Sequence, residues 1–424
     1  MAKTSLPLHP SDLHGLSRLG IDGVRGVTDI VEHLHHAILR LPVVSNVAPD
    51  PRTGGIPGVV YRSIHGVTGL VGGGLELAFS RLAPRLAAGR STPSREHLLA
   101  VINGVLGDHL AATNNPLAIE MNWRQLGRPV AADTQSLTAA FPQPRSRLLV
   151  TAHGLCMHDG YWHANGQADA MTDVGLPGQL AREAGFSSID LHYNTGRHIS
   201  DNGRDFARRL EDLVAGWPVA IDELVILGHS MGGLIARSAV HYGVEAGHRW
   251  PGHLKSLVFL GTPHHGSPLE RAGNGIDRIL GFSRYSAPFS RIGKLRSAGI
   301  TDLRHGNILE ADWAEHDRFE HAHDTRHPPH LPVRIQRFAV AASASSLEPS
   351  ANSGARTQAA AAETLKGDGL VPVTSALGLH PDPNFDLAIP EQNRHIAHDI
   401  SHIGLLRCPK VAARVGAWLA TPKG

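Results

Sequence analysis

Apolar residues follow two rhythms along this chain. From about Asn115 onward, short apolar runs of strand length alternate with segments whose apolar positions recur every three or four residues. Arg147–Ala152, Ser188–Tyr193, Leu224–Leu227 and Leu254–Leu260 are the strand-like runs, and Val333–Ala342 resumes the pattern. Gly178–Ala184, Asp201–Leu213 and Leu234–Val240 carry helical spacing between them. Leu117–Trp123 alternates apolar and polar, as a half-exposed strand does. Gly127-Arg128-Pro129 then marks a turn, with Val130–Leu137 expected to return antiparallel. Phe385–Ile389 is expected to be the last strand and Ile403–Leu419 a closing helix. Strands and helices in alternation predict an α/β fold, with a mostly parallel central sheet covered by helices on both faces.

Two stretches depart from this rhythm. Residues 1 to about 110 lack strand-like runs, whereas Leu75–Leu86 and Glu96–Leu110 have helical spacing and Ala48–Gly58 is a Pro/Gly-rich loop. The expected division is a mainly helical N-terminal region over 1–114 and an α/β domain over 115–424. Gly266–Pro332 is polar and histidine-rich at its end, and its place after a core strand predicts a lid or cap insertion over 266–332. Ala344–Thr364 is an Ala/Ser-rich excursion.

Composition narrows the function classes. With 424 residues, 42% apolar and 18% charged, the chain can bury a large core. A net charge of +2 without a dense Lys/Arg tract excludes a polyanion-driven nucleic-acid binder. Cys156 and Cys408 are too few for a disulfide framework and are expected as thiols. No run of roughly 18 apolar residues is present, and the N-terminus lacks an apolar h-region, so the default expectation is a cytoplasmic protein. Among the 29 histidines, His321-x-His323 with Asp324 has metal-ligand spacing. Spacing alone does not make a ligand set, so a solvated insertion is the preferred reading and no metal is expected.

Candidate chemistry concentrates at Gly228-His229-Ser230-Met231-Gly232-Gly233, which follows the apolar run Leu224–Leu227 and precedes a helical pattern. Strand, G-x-S-x-G, helix is the context of a nucleophile elbow. The bland alternative is a glycine-rich turn whose serine caps the helix. A serine needs a base, an acid to orient that base, and an oxyanion hole. His153-Gly154-Leu155, Gly261-Thr-Pro-His-His-Gly266, Gly367-Asp368-Gly369-Leu-Val-Pro372 and Ser401-His402 lie near the predicted carboxyl ends of strands, where active sites of such sheets form.

Together these motifs, spanning about 115 to 420, resemble the α/β-hydrolases of the lipase/esterase group, including lipase-like and PGAP1-like serine hydrolases. The resemblance implies Ser230 as nucleophile, Asp368 as acid (over Asp382, Asp386 and Asp399) and His402 as base (over His395 and His398), in the Ser–Asp–His order of that fold. The backbone amides of Leu155 and Met231 would form the oxyanion hole, with His153, Gly154, Tyr161 and Trp162 at the substrate. His229 and His264 are expected to pack near the elbow. The implied function is cleavage of carboxylic esters, lipid-like ones foremost, through an acyl-enzyme and without a cofactor. An acyltransferase, thioesterase or lactonase on the same triad, and a non-catalytic binding protein of this fold, are the alternatives. A small-molecule or lipid ester is the implied partner, with transient contact at a lipid interface and no nucleic acid. Chain length, the alcohol and the oligomeric state are left open.

Overall fold

A computed structural model describes residues 9–39, 63, 65–71, 73, 76, 91–163, 175–266, 297–314, 326–327, 329, 331–344 and 367–420. It divides into two compact units, Met1–Arg95 with Leu110–Ala118, and Glu96–His109 with Ile119–Gly424. The metal-like spacing at His321–Asp324, the Ala344–Thr364 excursion, the Ala48–Gly58 loop and most of Leu75–Leu86 lie outside the described residues.

In the first unit, helix α1 (Pro10–Leu39) is fixed by polar ties at its start. Arg95 grips the Asp12 carboxylate in two places, at 2.6 and 2.7 Å. Such a bidentate pair adds direction as well as energy. Burial pushes the Asp12 pKa up, yet the Arg95 and His9 contacts outweigh it and hold the carboxyl below its ordinary range.

The second unit is built on eight strands. They are β1 (Asn122–Gln125), β2 (Arg128–Val130), β3 (Arg147–Ala152), β4 (Ser187–His192), β5 (Glu223–His229), β6 (Leu254–Leu260), β7 (Gln336–Ser343) and β8 (Arg394–His398). Their order across the sheet is β2-β1-β4-β3-β5-β6-β7-β8, with β1 antiparallel to its neighbours and every pairing from β4 to β8 parallel. The helices longer than four residues are, in chain order, α2 (Pro93–Ala112), of which residues 96–109 belong here, α3 (Thr134–Ala140), α4 (Leu176–Glu183), α5 (Ile199–Gly216), α6 (Met231–Glu245), α7 (Ala298–His305) and α8 (Pro409–Ala420).

Alternation along the strands fills two cores. Leu148, Val150, Leu224 and Ile226 share one with Phe206 and Leu210 of α5 and with Leu234 of α6. Leu149, Val225, Leu227 and Val258 share the other with Leu180 of α4 and Val411 and Val415 of α8. A sheet buried on both faces needs apolar residues at consecutive positions, which is why β3 and β5 carry near-continuous apolar runs. Chain order reverses around β3, where β4 lies on one side and β5 on the other. The carboxyl ends of β3 and β5 therefore bound the crevice where such sheets bind ligands.

The structure differs from the expected elements at several places. Leu117–Trp123 is not extended along its length: the strand is Asn122–Gln125. The antiparallel return stops at Val130, because Asp133 accepts a 2.8 Å bond from the Ser136 amide and caps α3 instead. Phe385–Ile389 forms no strand: Asp386 takes the His380 and Ala388 amides, and Ala388 sits at φ 46°. The last strand is β8, whose half-buried, histidine-bearing sequence hid its pattern. The closing helix is broken into a 3-10 turn over Ile403–Leu406 and α8, which starts at Pro409, a residue suited to the first helical position. Most of the segment expected as a lid, including 267–296 and 315–325, lies outside the described residues; within it, 297–314 place Ile300, Leu303, Ile308 and Leu309 in the sheet core.

Candidate active site

Ser230 joins β5 to α6 with φ 53° and ψ −122°. For a residue with a Cβ this is a sparsely populated region costing on the order of 1–3 kcal/mol, tolerated where surrounding structure enforces it. Enforcement is visible: the Ser230 amide donates to the Leu260 carbonyl of β6 at 2.8 Å. The capping alternative fails, because the Ser230 side chain makes no capping bond to α6. Ser230 lines a cavity instead.

Glycine at 232 follows from close approach. A Cβ there would lie 2.1 Å from the Ala152 carbonyl oxygen and 2.7 Å from that of His153. Both obstacles are backbone at the end of β3. Gly232→Ala is therefore expected to destabilise the protein by about 1–3 kcal/mol, the usual cost of overpacking, and to displace the elbow. Chemical denaturation measures this, and an unchanged midpoint would mean that the turn widens without strain.

His402 and Asp368 come together from separate loops after β8 and β7. His402 Nδ1 lies 2.7 Å from Asp368 Oδ2. The other carboxylate oxygen accepts the Leu370 and Val371 amides, both at 2.9 Å. Burial raises the Asp368 pKa, but the His402 charge and hydrogen bond and these two amides overcome it and leave the carboxyl below its ordinary range. The carboxylate is thus charged, oriented and almost wholly enclosed. Asp382 and Asp386 satisfy their own turns, through Asn384 and through His380 and Ala388. His398 belongs to β8, and the carboxylate partner of His402 is Asp368.

His229 sits directly before the serine and is fully buried. Burial, then the His402 charge, takes its pKa down to about 3, so it stays neutral. Its Nε2–H donates to the His402 carbonyl at 3.1 Å, fastening the His402 loop to the elbow. His264 is likewise buried, with Nδ1 3.3 Å from Arg237. Both histidines pack near the elbow, as expected.

The cavity over Ser230 measures about 40 Å³. That is space for roughly three waters at 10–15 Å³ each. Ser230, His402, Leu155 and His229 line it, and Val101, Met157, Leu370 and Ile403 add apolar lining. Tyr161 lines it too, with its hydroxyl 2.9 Å from His97 Nδ1; burial pushes the phenol up to about 12. Trp162, His153 and Gly154, expected at the substrate, are not among its lining residues. Trp162 is packed in the core beneath the loop and His153 is fully buried. Gly154 lies against the elbow, where a Cβ would come within 3.1 Å of Ser230 Cβ.

Two backbone amides face no competing acceptor among the described residues. Met231 is the first residue of α6 and has no helical acceptor for its N–H. The positive end of the α6 dipole lies at the same point, which favours a developing anion. Leu155 follows β3 across the crevice, and the next amide, that of Cys156, is already bonded to Thr195 Oγ1 at 3.2 Å. Cys156 and Cys408 are both thiols. His97, which lines the cavity, is not legible as a site residue, since nothing in its local sequence marks it.

Among known proteins, residues 204–327 match the family described as PGAP1-like alpha/beta domain. No curated protein matches the chain. Among solved structures, the mature form of Bacillus licheniformis lipase BlEst2 is similar at 16% identity, covering 72% of this chain and 98% of its own, with a TM-score of 0.40. Pyrococcus furiosus esterase Pf2001 is similar at 11% identity, covering 65% of this chain and 82% of its own, with a TM-score of 0.37. Legionella pneumophila phospholipase PlaB, solved in complex with thio-NAD, is similar at 14% identity, covering 54% and 44%, with a TM-score of 0.30.

Proposed function

We propose that this α/β-hydrolase-fold chain, with its PGAP1-like segment at residues 204–327, is a serine hydrolase that cleaves carboxylic esters through an acyl-enzyme on Ser230. The observation that carries the reading is one cavity holding both a strained, non-capping serine and a histidine bonded to a buried carboxylate.

In this mechanism Ser230 Oγ attacks the ester carbonyl while His402 Nε2 takes its proton. Asp368 holds the Nδ1 proton, which fixes the tautomer and stabilises the imidazolium as it forms. The amides of Leu155 and Met231 hold the oxyanion. His402 then returns the proton to the leaving alcohol. Water, activated by the same imidazole, attacks the acyl-enzyme and releases the acid. No step calls for a cofactor. The apolar lining of Val101, Met157, Leu370 and Ile403 favours an apolar, lipid-like acyl group entering carbonyl first.

The test is labelling with a fluorophosphonate probe, read by mass spectrometry, beside hydrolysis of short and medium p-nitrophenyl esters. Modification on Ser230 alone, with measurable turnover, is expected. A well-folded protein that neither labels nor hydrolyses would instead be a non-catalytic binding protein of this fold.

A further inference from the structure

The donor assigned to Leu155 is one backbone N–H on a loop that opens with glycine. Gly154 loses more conformational freedom on folding than any other residue type would. Left to itself, the peptide unit joining it to Leu155 could turn its N–H away from the cavity. A side chain in place of the glycine would crowd the site, since its Cβ would meet Met157 Sδ at 3.0 Å and His229 Nδ1 and Ser230 Cβ at 3.1 Å, so those neighbours would have to give way. The orientation has to be imposed from outside.

Three successive peptide units are held. A trans peptide is planar, with its carbonyl and N–H on opposite sides, so fixing one end directs the other. The Gly154 carbonyl accepts from the Met157 amide at 3.2 Å and from His153 Nδ1 at 3.0 Å. A carbonyl only accepts, so His153 carries its proton on Nδ1. In the unit before, the His153 carbonyl accepts a 2.6 Å bond from the Tyr193 hydroxyl. The Tyr193 ring also stacks on the His153 ring, with centroids 4.4 Å apart and planes 17° from parallel. In the unit after, Thr195 Oγ1 takes the Cys156 amide and Cys156 is held at φ 57°.

Tyr193, Thr195 and His153 are buried, and none is among the residues lining the cavity. They act only through the backbone between them. Burial lowers the His153 pKa to about 3 and pushes Tyr193 well above its usual value, so both stay neutral where the enzyme would work. Farther along, the same loop is anchored by Asp159 on Arg124 and by His163 on Asp190, each at 3.1 Å.

We propose that Tyr193 and Thr195 are positioning residues that preset the Leu155 amide, so that the oxyanion hole stands assembled before substrate arrives. The proposal rests on the serine-hydrolase reading. A hole assembled in advance stabilises the transition state without reorganisation during the reaction. Residues that merely supported the fold would affect stability and leave transition-state affinity alone.

Tyr193→Phe and Thr195→Val each delete one hydrogen-bonding group, and Thr195→Ser keeps the acceptor. Each variant is compared with wild type in kcat, KM, affinity for an alkyl boronic acid and affinity for the carboxylic acid product. Thermal unfolding is measured alongside. Both deleting variants are expected to lose about 10- to 100-fold in kcat, short of the loss for deleting a donor outright. KM should stay within about twofold, because such an interaction acts in the transition state alone. Boronate affinity should fall with kcat, product affinity should not, and Thr195→Ser should recover most of the loss. Wild-type kcat and boronate affinity in Tyr193→Phe and Thr195→Val would overturn the proposal, as would equal losses of boronate and product affinity. Wild-type protein that fails fluorophosphonate labelling would bring down the serine-hydrolase reading itself, a result distinct from an active enzyme indifferent to both substitutions.

Discussion

Ser230→Ala is expected to abolish ester turnover, lowering kcat by about 10⁶-fold while leaving the fold intact. The size follows from the way a nucleophile, its base and its orienting acid act as one unit, so that losing the nucleophile costs nearly as much as losing all three. What remains, on the order of 10³–10⁴ over water, belongs to the oxyanion amides and binding. Stability should barely change, because the Ser230 hydroxyl caps nothing and alanine keeps the same Cβ at φ 53°. Ser230→Gly separates strain from chemistry. It should be equally inactive but more stable, by about 1–3 kcal/mol, since only glycine enters that backbone region without penalty. Steady-state hydrolysis of a p-nitrophenyl ester and chemical denaturation measure the two effects. Full turnover by Ser230→Ala would transfer the nucleophile's role elsewhere.

How much of this was written legibly in the sequence depends on whether a residue's partner is local. The strands β3 to β7 could be located because burial on both faces demands continuous apolar runs, and Leu148–Val150 and Leu224–Leu227 comply. The elbow could be located because its glycines and serine are adjacent. β8 could not, since Arg394-His-Ile-Ala-His398 is half-buried and carries no such run. α3 was masked by an apolar-looking return whose stop signal is one side-chain cap, Asp133. The substrate-facing expectation for His153 and Trp162 treated proximity to the oxyanion turn as exposure, whereas tertiary packing turns both inward. Tyr193 and Thr195 illustrate the limit. They meet His153 and Cys156 only because β3 and β4 lie side by side, a pairing set by the sheet and unmarked at either position.

Asp368→Asn is the second large effect, expected to reduce kcat by about 10⁴-fold with little change in KM. The carboxylate accepts at both oxygens: Oδ2 from His402 Nδ1, and Oδ1 from the Leu370 and Val371 amides. An asparagine keeps one acceptor oxygen, and the two backbone amides claim it. Its amide nitrogen is then left facing His402 Nδ1, a donor against a donor unless the imidazole moves its proton to Nε2. In that tautomer the nitrogen next to Ser230 already bears hydrogen and cannot act as base. The substitution thus fails through proton placement, and the loops should hold their positions. Stability carries an independent signature of the same pair. Because the folded Asp368 carboxyl titrates below its reference value of 3.8, its contribution is fully present above that value and disappears as pH falls through the lower folded one. Wild type should therefore lose stability relative to Asp368→Asn only in that acid window, while the activity gap persists at neutral pH. If the variant kept wild-type kcat at neutral pH, Asp368 would be a turn residue and the orienting acid would have to be sought elsewhere.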